Sequence, residues 1–242
     1  MHMIKYPSSV SLDNFLIDNT EFSTMYGLPE NVCFCKACVI SNQRPISAVE
    51  YRHTKESRKQ TIHFDGDGVC DACRSVEQKR NLINWEEREE KLKELCDRFR
   101  RDDGRYDCLV PGSGGKDSFY QAHVLKHKYG MNPLTVTWAP HLYTDWGWKN
   151  FQAWLGAGFD NYLHTPNPLV HRLLTRLAVE NIFHPFQPFM FGQKSFAPKM
   201  AALLDVPLVF YGENEAEYGN PIKDNSSAQR DWKYFTGGDS SK

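Results

Sequence analysis

No stretch of the 242-residue chain approaches the roughly 20 consecutive apolar residues that a membrane-spanning helix needs. The amino end lacks the basic segment and apolar run of a secretory leader, so a cytoplasmic protein is expected. Charge of one sign is missing as well. The 29 basic residues are balanced by 30 acidic ones, which leaves no electrostatic footprint for an extended phosphate backbone and argues against nucleic acid as a partner. Cysteine is absent after Cys108, so the carboxy-terminal half offers no thiol for nucleophilic or sulfur chemistry.

The seven cysteines that are present lie early and in pairs. In a cytoplasmic chain they are not expected to form disulfides. Cys35 and Cys38 make one C-x-x-C, and Cys70 and Cys73 make a second within DGVCDAC. Two such knuckles supply four thiolates, the donor set of a closed structural Zn²⁺ site, and a segment poor in core residues gains its folding energy from the metal. The gap from Cys38 to Cys70 exceeds the common spacing of about 15–20 residues, so the charged stretch 50–60 is read as a solvated excursion. Cys33 and His63 are the substitute ligands within reach. Cys96 and Cys108 fall in a helical pattern and a strand, where each is read as a small buried hydrophobe.

Three units follow from the patterning: a zinc-knuckle module over 1–84, a linking helix over 85–104 and an α/β domain over 105–242. In WEEREEKLKELCDRFRR, from Trp85, apolar residues recur at Leu92, Leu95, Cys96 and Phe99, with acids early and arginines late as the helix dipole favours. Beyond Gly104 strands at 106–111, 133–138, 160–164 and 206–211 alternate with helices at 115–129, 148–157, 168–182 and 195–204. Alternation of this kind predicts a parallel sheet flanked by helices, with ligands at the carboxyl ends of its strands.

The turn after the first of these strands reads PGSGGKDS, from Pro111 to Ser118. Its glycines let backbone N–H groups close on an anion, and the following helix start adds partial positive charge. A Walker loop would need glycine where Val110 stands and a hydroxyl residue where Asp117 stands; a dinucleotide fingerprint would need glycine at 117. Neither fits. Ser113-Gly114-Gly115-Lys116-Asp117-Ser118 instead resembles the PP-loop of ATP pyrophosphatases, which cleave ATP between its α and β phosphates. That resemblance implies the adenine-nucleotide α-hydrolase type of fold.

Three further loops stand at strand ends. TWAPHLYTDWGWKN, from Thr137 to Asn150, either caps the sheet edge with its aromatics or forms an adenine and substrate platform. FHPFQPFMFGQK, from Phe183 to Lys194, reads as a shaped loop. GENEAEYGN follows the last strand and places Gly212, Glu213 and Asn214 nearest its end, where carboxylates would hold Mg²⁺ or orient a substrate.

With the paired knuckles, VPGSGGKDS and the segments WAPHLYTDWGWKNFQAWLGAGFDNYLHTPN and YGENEAEYGN, the chain resembles over residues 30–235 the N-acetyl sugar amidotransferases of lipopolysaccharide O-antigen and related surface-glycan biosynthesis. The resemblance implies ATP-dependent conversion of an acetamido group on a nucleotide-activated sugar to an acetamidino group, with ammonia from a partner glutaminase. It implies ATP, Mg²⁺ and Zn²⁺ as cofactors. Lys116 and Asp117 would be catalytic; Ser113, Gly114, Gly115, Ser118, Thr137 and Gly212 would join them in holding the nucleotide. Tyr143, Asp145, Asn150, Glu213 and Asn214 are the substrate candidates. The alternatives are a tRNA sulfur-transfer enzyme, disfavoured by the missing thiols and the neutral charge, and a non-catalytic scaffold for a glutaminase.

Overall fold

The computed structural model describes residues 28–44 and 61–212, together with positions 229 and 235. In chain order its elements are α1 (Asp71–Asn81), α2 (Trp85–Phe99), β1 (Cys108–Pro111), α3 (Lys116–His127), β2 (Pro133–Trp138), α4 (Asp145–Leu155), β3 (Asn161–His164), α5 (Pro168–Ile182) and α6 (Gln187–Leu204). The excursion at 50–60 and the candidates Glu213 and Asn214 lie outside the described residues.

The chain is α/β, as its alternation predicts. β1, β2 and β3 form a parallel sheet in that order, with Val110 opposite Thr135 and Val136 opposite Tyr162. The expected fourth strand is shorter than its pattern suggests. Leu208–Phe210 lies parallel to β1 on the side away from β2, through a bridge between Leu109 and Val209. Leu109 donates to the Leu208 carbonyl and accepts from Phe210 N–H, each at 2.9 Å. The chain therefore winds outward from β1 to β3 and then returns to the other side of β1, making a topological switch point at the carboxyl end of β1.

Side chains alternate across the sheet and divide the core in two. Cys108 and Val110 point to one face, where they meet Cys96 of α2, Ala122 and Leu125 of α3, and Phe151 and Trp154 of α4. Leu109, Leu134 and Val136 pack on the other against Phe196 and Ala197 of α6. Cys96 and Cys108 are fully buried, and burial pushes both thiols up, Cys108 to about 12. That agrees with their reading as small hydrophobes. Buried Asp107 ties the layers together: its carboxylate accepts from Arg101 N–H at 2.7 Å and Asn132 N–H at 2.6 Å.

Three element boundaries correct the sequence reading. α4 starts at Asp145, three residues before the expected 148, because Thr144 accepts from Gly147 N–H and caps it. α1, which the sequence reading does not assign, starts from the second cysteine knuckle, with Cys70 as its first flanking residue. The segment expected as a loop to Lys194 is helical from Gln187. Pro188 sits in the first turn, where a missing N–H costs nothing, and Gly192 is required because the Trp138 indole occupies the space of any Cβ there.

Candidate functional site

Two sites emerge. The first is the cysteine cluster. Antiparallel bridges between Phe34 and Ser41 and between Phe64 and Cys70 fold each knuckle back on itself. Gly68 turns the second with φ of +78°, and Asp65 braces it by accepting from Asp67 N–H at 3.0 Å and Val69 N–H at 2.8 Å. As a result the Sγ atoms of Cys35, Cys38, Cys70 and Cys73 all lie within 4.8 Å of one another. Cys35 to Cys73 is 3.9 Å and Cys38 to Cys70 is 3.7 Å. A tetrahedron of sulfurs with Zn–S bonds of about 2.3 Å has edges of about 3.8 Å. The four cysteines therefore fit a metal ion such as zinc.

The electrostatics point the same way. Burial raises the Cys35 thiol, but N–H groups of Cys70, Ala37 and Cys38 outweigh it and bring the group down to about 6. Cys73 is pushed up to about 12, first by its hydrogen bond with Cys38 and then by burial. One sulfur is prepared as a thiolate, and the crowding holds its neighbour neutral; a divalent cation relieves that crowding. Cys33 is exposed and His63 faces Arg74 at 3.2 Å, so the structure brings neither substitute into the cluster.

The second site is the glycine turn between β1 and α3. Gly112 continues the ladder by donating to the Val136 carbonyl at 3.0 Å, and its own carbonyl accepts from Thr137 Oγ1 at 2.7 Å. Thr137 is fully buried, and its hydroxyl also accepts from Asn161 Nδ2 at 3.0 Å. This candidate nucleotide ligand is thus a brace beneath the turn. A Cβ at Gly112 would lie 2.6 Å from Ser118 Cβ and Oγ. Gly114 has φ of +89° and no room for a side chain beneath the Asn150 carbonyl. Gly115 flanks α3 without a side-chain cap, while Ser118 Oγ donates back to the Gly115 carbonyl at 3.1 Å.

Gly212 closes the arrangement. A Cβ there would lie 2.9 Å from Ser118 N and 3.0 Å from the Asp117 carbonyl carbon, so the residue after the returning strand rests on the first turn of α3. Two regions 94 residues apart in sequence meet at the switch point, and the absence of a side chain at Gly212 is what permits it. Lys116 Nζ donates to Asp117 Oδ1 at 2.6 Å, with both side chains largely exposed. Ser113 is exposed beside them.

A hollow of about 460 Å³ opens on one side of α3, lined by Gly114, Lys116, Phe119, Tyr120, His123 and Asn150. A smaller one, about 290 Å³, opens on the neighbouring face, where Asp117 and Gly212 meet Gln121, Tyr129 and Phe210, and Tyr120 lines both. Of the remaining candidates, Asp145 is exposed in the first turn of α4, and Tyr143 packs edge-on against Trp148 and stacks on Phe151. Burial raises the Tyr143 hydroxyl, which has no hydrogen-bond partner among the described residues. Sequence reasoning missed Tyr120, His123 and the ring cluster of His141, His171, Phe186 and Phe189. The first two follow Lys116 at helical spacing, a signal that was available; the third depends on how α5 and α6 pack.

No family model matches the chain. Over 84 residues it is 31% identical to the uncharacterized protein MJ1599 of Methanocaldococcus jannaschii, a stretch that makes up 35% of this chain and 29% of that protein. The chain thus spans less than a third of that relative's length. Among the described residues no helix is long and apolar enough to cross a membrane.

Proposed function

We propose that the chain is an ATP-dependent, AMP-forming amidotransferase that converts an acetamido group of a nucleotide-activated sugar to acetamidino, using ammonia delivered by a partner glutaminase, in lipopolysaccharide O-antigen or related glycan synthesis. The observation that carries the reading is the glycine turn: backbone amides without a side-chain cap begin α3 at the switch point, and Gly212 packs onto them. Such a turn suits the phosphates of ATP.

The chemistry asks little of side chains. An amide oxygen is a poor leaving group, so it first attacks the α-phosphorus of ATP while the bond to pyrophosphate breaks. Ammonia then adds to the activated carbon, AMP departs with the oxygen, and a proton is lost to solvent. What the protein supplies is position and charge: Lys116 and the turn amides stabilise the departing pyrophosphate, Ser113 donates to it, Ser118 does so once its hydroxyl turns from the Gly115 carbonyl, and Asp117 would hold Mg²⁺ or brace the turn. No thiol takes part. The seven cysteines divide between the metal cluster, exposed Cys33 on the same module, and two core positions, which speaks against sulfur transfer. The deciding assay supplies ATP, ammonia and nucleotide-linked diacetamido sugars and measures AMP together with product mass. Replacement of oxygen by NH supports the reading, and failure to form AMP with any such sugar favours a scaffold.

A further inference from the structure

Lys116, Tyr120 and His123 follow one another along α3 at intervals of four and three residues, so they share one face of the helix. That face forms a wall of the 460 Å³ hollow, and Asn150 of α4 stands across from it. The hollow has a size usual for small-molecule sites, which run from about 300 to 1,000 Å³. Its chemistry is specific. Tyr120 is 71% exposed and presents a ring with no structural duty to match its size. His123 stands ring to ring with His127 one turn on, at 4.4 Å. Lys116 contributes an ammonium, Asn150 an amide.

The two hollows flank α3 on adjacent faces and share Tyr120 as a wall. Asp117 and Gly212, the switch-point pair, line the smaller one; Gly114 and Asn150 line the larger. A reaction between two large ligands needs two places that meet at the reacting centre, and these meet at the glycine turn. His123 lies seven residues beyond Lys116, about 10 Å along the helix axis, so the larger hollow runs well away from the turn.

We infer that the hollow between α3 and α4 receives the nucleoside diphosphate end of the activated sugar: Tyr120 and His123, farther from the turn, hold the base, Tyr120 by stacking, and Asn150 and Lys116, nearer the turn, hold the diphosphate. This rests on the proposed amidination, because it assigns that reaction's second substrate. A ligand with its base on Tyr120 directs its sugar toward Gly114, where the activated phosphate is expected. Lys116, at the junction, faces anions from both sides.

The test titrates UDP, CDP, GDP and dTDP calorimetrically into the full chain saturated with AMP-PNP. One of them should bind with one site per chain, and Tyr120→Ala and His123→Ala should each weaken it by about tenfold or more, as loss of a stacked base or of a hydrogen-bond partner does. His123→Ala should bind AMP-PNP as the parent does, and both variants should melt with the parent, since the replaced side chains are exposed. The assignment is overturned if no diphosphate binds, if AMP-PNP displaces the one that does, or if both variants bind it unchanged. Failure of the amidination reading looks different: diphosphate binding would persist while no sugar supports AMP formation.

Discussion

Replacing Gly114 by alanine tests whether the glycine turn is built as described. At φ of +89° an L-residue is strained by about 1–2 kcal/mol. Its Cβ would also run into the backbone of Asn150 and Phe151, which belongs to α4 and cannot swing aside as a side chain would. Overpacking of that kind costs about 1–3 kcal/mol. Together they remove about 2–5 kcal/mol from a total that for domains of this kind is about 5–15 kcal/mol. With an m-value of about 2 kcal/mol per molar, the urea midpoint should fall by about 1–2.5 M. Gly115→Ala is the paired control. Gly115 has an ordinary φ of −64° and, among the described residues, nothing within 4 Å of where an added methyl group would stand, so its stability should change by no more than about 1 kcal/mol. That methyl would stand on the open side of the turn, and AMP-PNP affinity should drop although the fold is kept. A Gly114→Ala protein that unfolds with the parent would refute the close approach of α4. Undiminished AMP-PNP affinity in Gly115→Ala would show that phosphate does not sit on that face.

Elemental analysis should find one zinc per chain, and chelation or Cys70→Ser should lower the melting temperature and open residues 61–81 to protease; a metal-free protein of unchanged stability would remove the cluster's role. Lys116→Ala should cut AMP formation at least 100-fold while the melting curve stays put, because the side chain is 88% exposed; parental turnover would take the turn out of the mechanism. Tyr106 donates to Asp160 Oδ2 at 2.8 Å, and this bond, with burial, raises the phenol from 10 to about 12. The folded state thus favours the protonated form: its contribution is complete below pH 10 and is lost as pH rises through 12. Tyr106→Phe should flatten the fall in stability across that window, and an identical alkaline profile for the two proteins would show that the bond contributes nothing.

What could be read from the sequence depended on whether the signal was local. The two C-x-x-C pairs announce a cluster because metal chemistry fixes residue type and spacing together, and the structure brings those four sulfurs together. Strand positions 133–138 and helix positions 168–182 were legible because apolar runs and periodicity survive in the chain itself. The amino end of α6 was not. Pro185, Pro188 and Gly192 read as loop residues, yet one proline precedes the helix, one falls where its N–H is not needed, and the glycine answers to Trp138, 54 residues away. Gly212 against Ser118 is the same kind of fact: a requirement set by packing between distant segments. Thr137 shows the converse, since its position at a strand end suggested a ligand, whereas its hydroxyl is occupied by the Gly112 carbonyl and Asn161.

The starts of the helices supply an independent argument for the turn. α2, α4 and α5 are capped by Asn84, Thr144 and Asn167, whose side chains accept from first-turn N–H groups. Three described helices have no such cap, and two of them have a visible reason. α1 starts at Cys70, whose sulfur takes a hydrogen bond from Cys73 N–H, so the cysteine cluster serves the helix end. α6 carries Pro188 in its first turn, which removes a donor that would otherwise need a partner. For α3 nothing comparable exists among the described residues. It opens on Gly115 and places the acidic Asp117 in its first turn, where a carboxylate favours the helix dipole without serving as the N-cap. Chains tend to break local rules at functional sites, and here the missing cap coincides with three glycines and the switch point. On the proposed reading, an anion with several oxygens would supply what the sequence leaves out.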